Sequence, residues 1–198
     1  MTRSRAILAA ASIAAATALL VAACDDDPPA TPSPEPTATS SSAEASPSPT
    51  STAVDVAPER PKEMDDDGPA GAEAAAVYFL ELDDYIMKTG DTAEWEAMSG
   101  SACGFCDARL EQARTIAERK DKFEGGDTEA RAVHTYEQDS TTGIWPIDVE
   151  TSEKPWAITD SDGKEIASQG ALVATSRVEV ARKDDEWVIV GVVNDQER

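Results

Sequence analysis

Two cysteines three residues apart, Cys103-Gly104-Phe105-Cys106, are the side chains whose type and spacing most directly invite chemistry. At a helix start, unpaired backbone N–H groups lower the pKa of the first thiol and favour disulfide exchange. The same pair can instead be an inert bridge that pins the helix start to the preceding turn. It can also supply two zinc ligands, with His134, the single histidine, and a carboxylate completing the set. Trp95 to Ala102, just ahead of the pair, reads as helix and turn, whereas a thioredoxin-type CxxC follows a buried strand. The bridge is therefore the leading reading, with no metal or other cofactor expected.

The remaining candidates are weaker. If Val133 points inward from a strand, His134 points to the opposite face and is a solvated polar residue rather than a general base. Asp148, Glu150 and Glu179 alternate along strands where a catalytic carboxylate would sit, yet any acidic strand must place acids somewhere. Tyr78, Trp145, Trp156 and Trp187, with Phe79, are candidates to line a ligand pocket, although such residues more often fill a core. No catalytic residue is assigned.

These residues must be positioned by helices first and strands after. Gly68-Pro69 reads as a helix start, because proline is tolerated in the first turn. Ala72, Ala75, Ala76, Phe79, Leu82 and Ile86 then recur at three and four, predicting a helix over Pro69 to Lys88 that Thr89-Gly90 stops. Asp91 to Glu94 resembles a capping box opening a short helix with Trp95 and Met98 on one side. A third helix is predicted from near Cys103 to about Phe123, and Gly125-Gly126-Asp127 breaks it. From there the period becomes alternating, with strands predicted over Ala130–Glu137, Gly143–Thr151, Pro155–Thr159, Ala171–Arg182 and Glu186–Asn194. Leu172, Ala174, Ser176, Val178 and Val180 share one face, and Val173, Thr175, Arg177 and Glu179 the other. Helices followed by an antiparallel meander mean an α+β fold, the N-terminal helices covering one face of a curved sheet.

The chain is 198 residues long with a formal net charge of −22, and it holds one domain's worth of foldable sequence. No block of lysine or arginine offsets that charge, which disfavours binding to nucleic acid or anionic lipid headgroups, so no nucleic-acid partner is expected. Arg3 and Arg5 precede an apolar, alanine-rich run from Ala6 to Ala23, the layout of a secretory signal. Losing that signal with its two arginines takes the charge from −22 to −24. Residues from Asp25 to about Ala57 are Pro, Ser, Thr, Ala and acid, too polar to offset the chain entropy of folding. Such a tether, stiffened toward polyproline II, would reach roughly 100 Å if fully extended.

Leu20-Val21-Ala22-Ala23-Cys24 resembles the lipobox of bacterial lipoproteins, with Val21 where the pattern prefers leucine. The resemblance implies cleavage before Cys24, a diacylglycerol on its sulfur, and a mature protein held on the extracytoplasmic face of the cell membrane. Residues 1–23 are then the signal, 24–57 the lipidated cysteine and tether, and 58–198 a single α+β domain. Of three cysteines, lipid would consume Cys24 and leave Cys103 and Cys106 as a matched pair where disulfides persist. A long amphipathic helix, short helices and a bent meander ending in Trp187-Val188-Ile189-Val190-Gly191-Val192-Val193 resemble the cystatin-like, nuclear-transport-factor-two-like cone. With Pro58-Glu59-Arg60-Pro61, Gly68-Pro69-Ala70-Gly71 and Met98 through Cys106, the chain is also similar to a family of actinobacterial lipoproteins. That resemblance covers about Pro58 to Asn194 and implies a fold and a location. It transfers no activity, so the expectation is a non-enzymatic domain that meets the membrane through Cys24 and binds an envelope protein or ligand. Small-molecule chemistry in the cone, and less so thiol exchange at Cys103 and Cys106, are the alternatives.

Overall fold

The structure, a computed structural model, describes residues 55–194. The expected signal, Cys24 and the expected tether as far as residue 54 lie outside the described residues. Among the described residues, no helix is long and apolar enough to cross a membrane.

A short 3-10 helix at Lys62–Asp65 leads to α1 (Pro69–Thr89), α2 (Ala93–Met98) and α3 (Gly104–Arg119). Seven strands follow: β1 (Lys122–Gly125), β2 (Thr128–Thr135), β3 (Trp145–Glu153), β4 (Trp156–Thr159), β5 (Glu165–Gln169), β6 (Leu172–Lys183) and β7 (Glu186–Asn194). The result is a mixed α+β fold. α1 begins at Pro69 as its sequence requires and ends at Gly90, whose N–H donates to the Ile86 carbonyl. Its buried set is wider than one stripe, adding Tyr78, Leu80 and Met87. Strands cover one flank of the helix while the 3-10 helix, α2 and α3 cover others. In α2, Trp95 and Met98 are buried, and the Trp95 indole stacks on Phe79 with ring centres 3.9 Å apart. The capping box expected at its start takes another form: the Thr92 hydroxyl donates to the Glu96 carboxylate at 2.6 Å and caps no backbone N–H.

α3 stops short of Phe123. The Lys120 N–H donates to the Ala117 carbonyl and the Asp121 N–H to the Ile116 carbonyl, with Lys120 left-handed at φ 59°. This pair of reversed bonds closes a helix and usually recruits glycine at the left-handed position. Here lysine occupies it, so the sequence carries no visible stop before Gly125. Phe123 consequently lies on β1, buried and stacked on Trp156 with centroids 5.5 Å apart.

The sequence pattern predicts one curved sheet; the structure has two antiparallel sheets, ordered β2-β3-β6-β7 and β1-β4-β5. Both β1 to β2 and β3 to β4 leave one sheet for the other at the same corner. There the Gly126 N–H donates to the Pro155 carbonyl and the Lys154 N–H to the Asp127 carbonyl. Gly125 and Gly126 are left-handed, at φ 82° and 77°, and a Cβ on Gly125 would sit 2.2 Å from the Pro155 oxygen. Only glycine lets the two backbones meet this closely. β5 escapes the sequence pattern because every residue in it is exposed, leaving no alternation to read.

Inside the four-stranded sheet, Ile147 and Val149 of β3, Val178 and Val180 of β6, and Trp187 and Ile189 of β7 are buried. Two register shifts bend this sheet, at Ala132/His134 in β2 and Glu179/Val180 in β6. The first overturns the expected facing of Val133. The extra residue leaves Val133 and His134 both exposed, while Ala132 and Thr135 are partly buried.

Candidate functional site

The concavity that brings the most chemistry together lies between α1, the start of α3 and the inner faces of β3 and β6, with β4 and β5 at one end. Its volume is about 190 Å³. Leu80, Phe105, Trp156, Leu172 and Ala174 supply its apolar surface. Asp83 and Arg109 face it from the helices and Glu153 from β3, with Gln169, Ser176 and Asn194 around them.

Each polar group has a partner. Arg109 grips Asp83 with both ends of its guanidinium: Nε donates to Oδ1 at 2.6 Å and Nη2 to Oδ2. Its Nη1 donates to Gln112 Oε1 at 2.9 Å. Such a planar two-point pair is geometrically selective and leaves Asp83 with little free charge. Gln169 Nε2 donates to Glu153 Oε2 at 2.9 Å, and the Ser176 hydroxyl donates to Asn194 Oδ1 at 2.7 Å. Burial pushes the Glu153 carboxyl above its ordinary value and the neighbouring Asp83 charge adds to the rise. Arg109 and a hydrogen bond from Trp156 act in the opposite sense. Asp84 and Glu81, nearby on α1, are also raised, chiefly by burial. The electrostatic character of the groove is thus one neutralised pair beside one half-buried carboxylate.

Asp83 and Glu153 were both readable in principle. Asp83 falls four residues after Phe79 and three after Leu80, inside the apolar stripe of α1. Glu153 shares the alternating inner face of Ile147, Val149 and Thr151, and it was missed because the predicted strand ended at Thr151. The acids singled out by alternation lie on the other face of the sheet. Asp148 pairs with Arg177 at 2.6 Å and Glu150 with Arg131 at 2.6 Å, while Glu179 lies beside Gly191.

Of the four aromatics considered as pocket lining, Trp156 alone borders this groove. Trp187 is 1% exposed and its Nε1 donates to the Met64 carbonyl at 2.9 Å, seating the 3-10 helix. Tyr78 is buried on α1. Trp145 is half-buried at the start of β3, and its Nε1 has no hydrogen-bond partner among the described residues. Three of the four are therefore core or flank residues, as the size of an indole or phenol ring makes common.

Cys103 and Cys106 stand at the start of α3 with their sulfurs 1.99 Å apart, at disulfide distance. Both are fully buried, and the Trp95 indole N–H donates to the Cys106 carbonyl at 3.1 Å. An external thiolate has no approach to either sulfur, which disfavours thiol exchange. His134 sits on β2 with its ring edge against Tyr136, 4.2 Å between centroids. Among the described residues, no group of three or more His, Cys, Asp or Glu side chains is arranged to hold a metal ion. Replacing both Cys103 and Cys106 by alanine is expected to lower stability by about 2 kcal/mol, because a loop this short restrains little unfolded-chain entropy. Urea titration of the oxidised chain and the double variant measures that difference.

Comparison with known proteins adds the fold and a family. No curated protein matches the chain. A solved structure described as the intermembrane space region of chloroplast protein ARC6 is 12% identical, with a TM-score of 0.50, covering 64% of this chain and 95% of its own. Aln2 from a Streptomyces species is 13% identical at a TM-score of 0.36, covering 59% and 83%. At such identity the first likeness speaks for the fold alone. The model of the Family of unknown function (DUF6318) matches residues 29–193, and the chain belongs to that family.

Proposed function

We propose that this chain is a lipid-anchored protein of the extracytoplasmic membrane face, whose domain is a cystatin-like cone and whose groove holds a ligand without transforming it. The observation that carries the binding role is the pairing of polar groups around an apolar wall. Asp83 is committed to Arg109 and Ser176 to Asn194, while Trp156, Phe105 and Leu80 offer surface to a ligand body. A few oriented polar groups over apolar walls are what a binding pocket needs. The sharp corner at Gly125 and Pro155 supports the cone, since it turns two strand pairs across one another.

Anchoring rests on Leu20 through Cys24 and on cysteine parity. With Cys103 and Cys106 at disulfide distance, Cys24 is the one cysteine left over, and diacylation would consume its thiol. Two acyl chains hold a protein durably where one does so marginally. The partner, on this reading, is an envelope component within reach of the tether. Cys24→Ala is expected to abolish fatty-acid labelling and to move the protein from the membrane fraction to the soluble one. Unchanged labelling and membrane retention in that variant would overturn the anchoring.

A further inference from the structure

Glu153 stands apart from the other charged groups of the groove. Asp83 is balanced by Arg109, Lys88 of α1 is engaged by Asp84 and Asp127, and Lys154, next to Glu153 in sequence, is engaged by Asp127. Glu153 accepts from Gln169, a neutral amide, and among the described residues no cation lies within ion-pair distance of it. A carboxylate has about four acceptor positions, so the Gln169 and Trp156 bonds leave capacity toward the groove. Beside it, one face of Trp156 is covered by Phe123, so the ring is held rigidly where it borders the groove.

We infer that the groove recognises a small amphipathic amine, its ammonium on Glu153 and its apolar body against Trp156, Phe105 and Leu172. This deepens the binding role proposed above and rests on it. Three observations converge. Charge complementarity comes first: Asp83, Arg109 and Glu153 leave the lining one negative charge in excess, and that excess sits on Glu153. Size is second: about 190 Å³ is a little more than the roughly 150 Å³ that admits a benzene ring. Third, the Trp156 ring, backed by Phe123, gives the apolar body of such an amine a flat surface next to the carboxylate. An incoming ammonium also relieves what burial imposes on the Glu153 carboxyl, because the positive charge of Arg109, committed to Asp83, offsets that burial only in part. The chain's overall charge of −22 draws cations and repels anions before contact is made.

The test is a titration of the purified full chain, in detergent, with three probes of one shape: 2-phenylethylammonium, 2-phenylethanol and 3-phenylpropionate. The readout is the NMR signal of the Trp156 indole N–H, assigned by its loss in Trp156→Phe. The ammonium is expected to shift that signal and to bind about tenfold more tightly than either other probe, the usual strength of a hydrogen bond to a charged group. Glu153→Gln should bring the ammonium down to the affinity of the alcohol. Gln169→Lys, which places a cation beside Glu153 from an exposed position, should do the same if the first variant fails to fold. Equal binding of the alcohol would overturn the charge recognition and leave the groove a binding site. Tightest binding of the carboxylate would assign selection to Arg109 and overturn the inference equally. If none of the probes moves the Trp156 signal, the groove's binding role falls together with this inference.

Discussion

Trp187→Ala is expected to cost about 3–5 kcal/mol, the range for truncating a buried aromatic. The indole is 1% exposed, the Met64 carbonyl accepts from its Nε1 at 2.9 Å, and the Arg182 guanidinium lies 4.9 Å from its ring centre. Truncation removes the apolar contact of the ring and strands the Met64 carbonyl at once. The 3-10 helix then loses its seat, and with it the Arg60 bridges to Glu94 and Glu186 lose their geometry, although exposed pairs of this kind add little by themselves. Trp187→Phe separates the two contributions: it keeps most of the ring and loses only the donor, for about 1–2 kcal/mol. Urea unfolding of the three chains decides the matter, and a loss under about 1 kcal/mol for the alanine variant would show that Trp187 does not seat this region.

Gly71→Ala should be as damaging, against the helix scale. In a helix interior alanine is better than glycine by about 1 kcal/mol. At Gly71, however, a Cβ would fall 1.9 Å from the Asp66 carbonyl oxygen and 3.0 Å from Cζ2 of Trp187. The carbonyl belongs to backbone and cannot swing aside, so the overlap must be relieved by moving the turn ahead of α1. A loss of about 3 kcal/mol or more follows, because steric displacement of a packed backbone outweighs the propensity gain. Gly104→Ala is the matched control: it opens α3, nothing lies within 4 Å of its Cβ, and a gain of about 0.5–1 kcal/mol is expected. Thermal melts with opposite signs at these two helix glycines would establish the close approach. A neutral or stabilising Gly71→Ala would refute it. Gly71 and Trp187 abut one another, so Gly71→Ala in a Trp187→Ala background should cost less than the sum.

Particular residues show how far the chain could be read in advance. The limits of α1 followed from Gly68-Pro69 and Gly90, and the inner face of β6 from strict alternation, because both are local stereochemistry. α3 ended early at Lys120, where a left-handed lysine replaces the glycine that would have announced the stop. β5 was invisible because it is exposed throughout, and Val133 was misplaced by a bulge that no periodicity encodes. The acids that alternation proposed, Asp148, Glu150 and Glu179, turned out to lie on the outer face of the sheet, away from the groove.

Composition, charge, the cysteine spacing and the order of helices and strands were all inscribed along the chain, since each depends on neighbours within a few positions. The groove was not. Asp83, Arg109 and Glu153 are far apart in sequence, and they meet because two strand pairs turn at Gly125, Gly126 and Pro155 and fold β4 and β5 over the end of the inner face. Periodicity tells which side of an element is buried; which other element buries it is set by packing, bulges and backbone approach between segments that no local pattern connects.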